Sequence, residues 1–214
     1  MTGVAVKGQG AILAAGLATS GSALNITGAS QASPGVLTVT NALSAGAVGV
    51  VAGISGMSQL NNRAFTLSPV TGTTATLKGE DTTNDTAYVS GGTLQAYTMT
   101  QIANVTGIKG FDGQASEIDT THLLSSAKEF QLGLQDFGNV TVDVLLINAD
   151  AGQIGLRKLK ASATAAPFTI TLADGTVATF MAFVKEFSFD GVKPDGAVTG
   201  EITLRVTNAP AWFA

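Results

Sequence analysis

The chain has 214 residues, 45% hydrophobic and 12% charged, with 26 glycines, one histidine and a net charge of −4. It has no cysteine, which excludes disulfides and thiolate metal sites, and a single histidine removes almost every imidazole metal site. The acidic balance lacks the basic footprint of a protein that grips nucleic acid, and no stretch approaches the ~20 apolar residues of a membrane span.

Near the N-terminus, Lys7 followed by AILAAGLA (11–18) mimics the opening of a signal peptide, but glycines flank a short apolar run and a mature cytosolic chain is the better reading. Gly8-Gln9-Gly10 begins like a dinucleotide fingerprint, yet Leu13 stands where the third glycine belongs and no βαβ unit follows. Between 22 and 97 the texture is poor in charge and rich in Gly, Ser, Thr and Asn. Short apolar runs recur at VLTV (36–39), VGVVAGI (48–54), AFTLSPV (64–70) and ATLK (75–78), separated by turn residues such as Asn61-Asn62, Thr71-Gly72 and Gly91-Gly92. Strands at this spacing predict a small β barrel or sandwich with its own core, nested in a discontinuous domain made of 1–21 and 98–214. Glu80, Asp81 and Asp85 have no EF-hand spacing and read as a solvated turn rather than a calcium site.

From 98 onward the alternation is that of antiparallel sheet. VTVDVLLI (140–147) places Val140, Val142, Val144 and Leu146 on one face; AVTGEITLRVT (197–207) places Val198, Ile202, Leu204 and Val206 inward. TITLADGTVATFMAFVKEFSFDG (169–191) reads as a hairpin, with Asp174-Gly175 expected to supply two positive-φ turn positions, while Asp190-Gly191 and Asp195-Gly196 bracket a longer connection. NADAGQIGLRKLKASA (148–163) predicts the one clear helix: Asn148 or Asp150 can cap it, and Arg157, Lys158 and Lys160 come late, as the helix dipole prefers. Those three cations read as a solvated helix face, and Gly152 and Gly155 weaken the helix. The expected fold class is all-β and mainly antiparallel, a sandwich or barrel with one short flanking helix plus the nested small β domain.

The stretch IDTTHLLSSAKEF (118–130) carries His122 between Asp119 and Ser125, the residue types of a hydrolase triad. A triad requires a nucleophile, base and acid that converge in space, which neighbours three apart in a loop do not, and no nucleophile elbow occurs. No catalytic constellation, metal site or cofactor site is expected. The surrounding 110–138 segment lacks buried periodicity and reads as a long loop without regular structure, a feature that in a compact domain points to function.

TTHLLSSAKEFQLGLQDFGNVTVDV (120–144) resembles the major tail tube proteins of long-tailed, non-contractile bacteriophages. The likeness lies in the threonine-rich start, the step Lys128-Glu129-Phe130, the turn Gly133, Leu134, Asp136, Gly138 and the alternating strand after it. The following helix, the hairpin around Asp174-Gly175, the strand ending at Gly191 and the closing strand at 197–207 keep the family's order, and KGQGAILAAG (7–16) is similar to its opening. The 22–97 segment is an addition to that pattern and resembles a small β module found inserted in phage structural proteins.

The resemblance implies a virion structural protein made in the bacterial cytoplasm. Its subunits would form hexameric rings stacked into a DNA-conducting tube, with the inserted module outside. Implied partners are other copies of the chain, the tape measure protein in the lumen, and terminator and distal tail or baseplate proteins at the ends. DNA is in transit only, and no membrane binding is implied. Asp119, Thr120, Thr121, His122, Leu123, Leu124, Lys128 and Glu129 are then candidates for contacts between subunits or rings. The inner tube of a contractile tail or type VI-like apparatus is the near alternative. A secreted β-rich adhesin or carbohydrate-binding module is the alternative of another class, against which one tryptophan and two tyrosines are a thin aromatic supply.

Overall fold

The structure, a computed structural model, describes residues 6–41, 43–190 and 196–214; Gly191 and Asp195 of the expected connection lie outside them. In chain order the strands are β1 Ile12–Thr19, β2 Leu24–Ala29, β3 Val36–Val39, β4 Val48–Ala52, β5 Arg63–Thr71, β6 Thr74–Leu77, β7 Thr93–Gln101, β8 Val105–Gly110, β9 Ala115–Asp119, β10 Phe130–Gln135 and β11 Asn139–Leu145. Helix α1, Ala151–Ser162, follows, and then β12 Ala166–Thr171, β13 Val177–Asp190, β14 Thr199–Val206 and β15 Ala211–Phe213. The pairings between these strands are antiparallel.

Two curled sheets share one strand. The order β2-β3-β6-β5-β4-β7 closes on itself because β7 also pairs with β2, giving a small six-stranded barrel. Closure leaves this unit without bare edges, which suits a segment rich in short strands and poor in charge. From β7 the sheet continues β1-β12-β13-β14-β11-β8, with β15 added along β13. Strand β7 serves both units: Thr93 to Tyr97 pair with β4, and Tyr97 to Gln101 pair with β1. The expected boundary at 97/98 therefore falls inside a continuous strand. Each unit has its own core, one around Leu37, Phe65, Leu67, Leu77 and Leu94, the other around Leu13, Phe168, Phe180, Leu204 and Val142. Val48, Ala64 and Met181 form a third cluster that joins them, and the Thr66 and Thr179 hydroxyls meet at 2.8 Å across the same seam.

Period-two alternation is realised where one face packs on a core. Val140, Val142 and Val144 of β11 are buried, as are Ile202, Leu204 and Val206 of β14, with Thr141, Asp143, Thr203 and Arg205 turned away. Leu146 lies beyond the end of β11 and is half-buried. The β12–β13 turn departs from expectation. Only Gly175 has positive φ (90°), and the bonds Gly175 N–H to Leu172 O and Leu172 N–H to Thr176 O define a wider turn with a left-handed glycine. Asp174 keeps negative φ because its carboxylate caps Thr176 N–H instead.

Helix α1 starts at Asp150, whose carboxylate accepts from Gln153 N–H at 2.8 Å. Its glycines are packing positions. A Cβ on Gly152 would stand 2.6 Å from the Gln101 carbonyl oxygen, and one on Gly155 would overlap the Leu17 side chain. The helix thus lies against β1 and the end of β7 at a distance only glycine permits, and the packing offsets the weak intrinsic helicity. Gln153 is fully buried and fixes the helix on the sheet: its Oε1 accepts from Ile147 N–H, and its Nε2 donates to the Ala103 and Leu145 carbonyls.

The 110–138 segment is not structureless. Strands β9 and β10 pair with each other and with no third strand among the described residues. With no sheet or helix laid on either face, neither face is buried, and β9 (ASEID) carries no apolar alternation by which a strand is read from sequence.

Candidate assembly interface

The hairpin is a separate two-stranded ribbon carried on the large sheet. Its register pairs Phe130 with Asp119, Gln131 with Ile118 and Leu132 with Glu117, and a bulge precedes the Gln135 to Ala115 pair. One face therefore presents Phe130, Leu132, Glu117 and Asp119, the other Ile118 and Gln131. A two-stranded ribbon is marginal by itself. Its base is tied by Asp136, whose Oδ1 accepts from Gly138 N–H at 2.8 Å and whose Oδ2 accepts from Arg205 at 2.7 Å, and by Asp112, which accepts from Asn139 N–H. Gly138 (φ 69°) and Gly113 pass so closely that a side chain on either would overlap the other strand's backbone. The Gly138 amide is the first cause, and Arg205 the second, holding the Asp136 carboxyl below its ordinary value.

All eight residues singled out from sequence fall on this ribbon. Asp119 ends β9, and Thr120, Thr121, His122, Leu123, Leu124, Lys128 and Glu129 form the tip. Thr120 N–H donates to Glu129 O and Glu129 N–H to the Thr121 hydroxyl, closing the tip. Asp119 accepts from Thr121 N–H at 2.9 Å; the Thr121 side chain first, then this amide, hold its carboxyl below the ordinary value. His122 Nδ1 accepts from Leu124 N–H, and Ser125 Oγ accepts from His122 N–H. Asp119, His122 and Ser125 thus each bond to a backbone amide, and the three make no proton relay.

The exposed apolar area is the main feature of this ribbon. Leu123 is 104% exposed, Leu124 91% and Leu134 90%, with Leu132, Ile118 and Phe130 also in the open. Isolated exposed leucines are ordinary on a protein surface, whereas six exposed large apolar side chains here share one short ribbon, spread over its tip and both of its faces. Of these six exposed residues the sequence reading singled out Leu123 and Leu124, and not Ile118, Phe130, Leu132 or Leu134. Their signal was an apolar residue at every second position of FQLGL (130–134) with no partner strand to bury it. A second open feature is strand β8, which among the described residues pairs with β11 along one edge only. Beside it lies an apolar cavity of about 370 Å³ lined by Ala11, Val105, Ile108, Phe111, Ile170 and Trp212, where the large sheet curls without closing.

The cations of α1 are not a simple solvated face. Lys158 and Lys160 are exposed, but Arg157 is half-buried with its guanidinium 5.6 Å from the Phe187 ring centre. Of the three acids read as a solvated turn, Glu80 pairs with half-buried Arg63 and Asp81 accepts from Thr83 N–H. Among the described residues no cluster of His, Cys, Asp or Glu could hold a metal ion, and no helix is long and apolar enough to cross a membrane.

Sheets and ribbon together define an all-β antiparallel protein that carries an uncovered apolar hairpin. Residues 81–179, from the end of the small barrel through the hairpin and α1 into β13, match the family model described as phage tail tube, TTP, lambda-like. The match spans 120–144, α1 and β12, and bears out the likeness to phage tail tube proteins read there. No curated protein sequence matches. Solved structures that match part of this chain include the virion of a native gene transfer agent particle (16% identity, 54% of this chain and 89% of that one, TM-score 0.45). The tail of the empty gene transfer agent particle (16%, 54% and 87%, TM-score 0.46) and the baseplate of the anti-feeding prophage (11%, 55% and 85%, TM-score 0.45) are others.

Proposed function

We propose that this protein is a tail tube subunit of a non-contractile phage tail, assembling into hexameric rings that stack into the channel through which DNA passes. The observation that carries the reading is the tail tube family match over 81–179, the stretch that contains the uncovered hairpin. In this reading Asp119, Thr120, Thr121, His122, Leu123, Leu124, Lys128 and Glu129 contact a neighbouring subunit or ring, together with Phe130, Leu132 and Leu134 of the same ribbon. Apolar side chains interleaved with acids and one lysine suit a surface that stays soluble in the free subunit and becomes specific once docked. The unpaired edge of β8 is a second contact surface, since a ring closes such edges productively.

The small barrel, residues 22–97 in outline, sits on the tube exterior as a module separable from the tube domain. An inward position would block the channel, and one between rings would prevent stacking. The net charge of −4 supports a conduit, because an acidic wall repels phosphate and keeps moving DNA from adhering. The tape measure protein occupies the lumen, and terminator and distal tail or baseplate proteins close the ends. The protein is made in the bacterial cytoplasm and resides in the virion. Sedimentation velocity across a range of concentrations tests the reading: rings and longer polymers should replace the monomer as concentration rises. A strictly monomeric species at high concentration would overturn it.

A further inference from the structure

A cleft of about 360 Å³ lies between α1, the segment after β11 and the end of β13. Leu146, Asn148, Arg157, Lys160, Phe187 and Phe189 line it. Its volume is in the range that takes a small ligand or a cluster of side chains, roughly 300–1,000 Å³. Phe189 is 64% exposed, so the cleft has an uncovered aromatic wall. Arg157 Nε donates to the Gln153 carbonyl at 3.4 Å, but its Nη2 is buried and finds no acceptor among the described residues. A buried guanidinium donor without an acceptor is costly, and a carboxylate entering from outside would remove the cost with a charge-assisted bond. Lys160 lines the cleft and donates to the Phe187 carbonyl at 3.5 Å, and the helix AGQIGLRKLKAS holds no acid.

The tip of the hairpin is the complement of this cleft. It offers Asp119 and Glu129 beside Leu123, Leu124 and Phe130, acids interleaved with exposed apolar side chains. The cleft has polarity as well. Beyond Phe189 the sheet presents Asp143 and Glu201, the opposite sign, which matches Lys128, the one cation of the tip. We propose that the hairpin tip of one copy docks in the α1–β13 cleft of a neighbouring copy, its leucines against Phe187 and Phe189 and its carboxylates on Arg157 and Lys160. This rests on the self-assembling tube reading and adds to it the receptor surface for the hairpin.

Because the chain has no cysteine, engineered pairs report the contact without background. The variant Leu123→Cys with Asn148→Cys, both exposed positions, is assembled and oxidised, then separated by size under non-reducing conditions. Docking predicts a ladder of covalent trimers and higher species, which requires tip-to-cleft links repeated from copy to copy. Leu123→Cys with Asp174→Cys, at the exposed β12–β13 turn, should give no species beyond dimer. Tubes that form normally but yield no ladder from the first pair overturn the docking proposal and leave the tube reading standing. Absence of any polymer from the unmodified protein overturns both. As a second arm, Lys160→Glu should raise the concentration needed for assembly at least tenfold, and adding Glu129→Lys should recover most of that loss. Failure of the second change to recover any of it, in a protein with unchanged thermal unfolding, counts against the charge pairing.

Discussion

Replacing Leu123 and Leu124 together by serine separates folding from assembly. In the free subunit both side chains are essentially fully exposed, at 104% and 91%, and their side chains support no core. Their removal therefore takes no apolar area out of the folded monomer, and the thermal midpoint should stay within about 1 °C, as for surface changes of less than ~0.5 kcal/mol. In an assembled contact the same side chains are covered. Burying a leucine contributes about 1.5–3 kcal/mol, so losing two weakens each contact by roughly 3–6 kcal/mol. At 1.4 kcal/mol per factor of ten, that is a loss of roughly 10²–10⁴ in the association constant of that contact. Differential scanning calorimetry on dilute protein and sedimentation on concentrated protein, made from one preparation, read the two effects. Unchanged polymerisation would refute the reasoning that the tip is an interface. A melting point lowered by many degrees would show that the tip belongs to the fold.

Four further outcomes are expected. Leu204→Asp should abolish cooperative unfolding by circular dichroism, since it places an unpaired charge at a fully buried position, whereas Thr203→Asp on the opposite face should leave a folded protein; equal melting would mean the facing is wrong. Gln153→Leu leaves Ile147 N–H and the Ala103 and Leu145 carbonyls without partners, and at about 1–3 kcal/mol per orphaned group it should cost ~3 kcal/mol or more in denaturant unfolding; a neutral result would show that α1 is held by packing alone. Excising 23–91 and bridging it with a short Gly/Ser linker keeps β7 whole and should leave a cooperatively folding core with a lower melting point, because Met181 loses Val48 and Ala64; loss of all cooperativity would sink the separable-module proposal. The Asp119 and Asp136 carboxyls titrate below their ordinary 3.8 when folded, so their contribution is complete above that value and lost as pH falls through the lower folded values; Thr121 and Gly138 amide shifts should move only below pH 3.8, and a midpoint above it would contradict the bonding described.

What was legible in the sequence was whatever one-sided burial writes into it. Val140, Val142 and Val144, and Ile202, Leu204 and Val206, alternate because each lies on a sheet with one face on a core. VLTV at 36–39 and the runs that became β4, β5 and β6 were visible as apolar segments between turn residues for the same reason. Helix α1 was marked by its Asp150 cap and late cations, although the meaning of its glycines was not, since the nearness of Leu17 and Gln101 is a tertiary fact. The sharing of β7 was also hidden: nothing at Tyr97 signals that one strand changes partners there. The hairpin escaped because β9, ASEID, carries no apolar alternation, and the short alternation of FQLGL in β10 has no core to point to. Its eight site candidates were found through likeness to a family, while Phe130, Leu132 and Leu134 needed the structure to show that their apolar faces are open.

The central claim, that copies of this chain build a hollow tube, is tested most directly by electron micrographs of concentrated purified protein. The account predicts end-on views of six-fold rings with an open centre and side views of those rings stacked at a regular repeat. Well-dispersed single particles of monomer size at every concentration would contradict it.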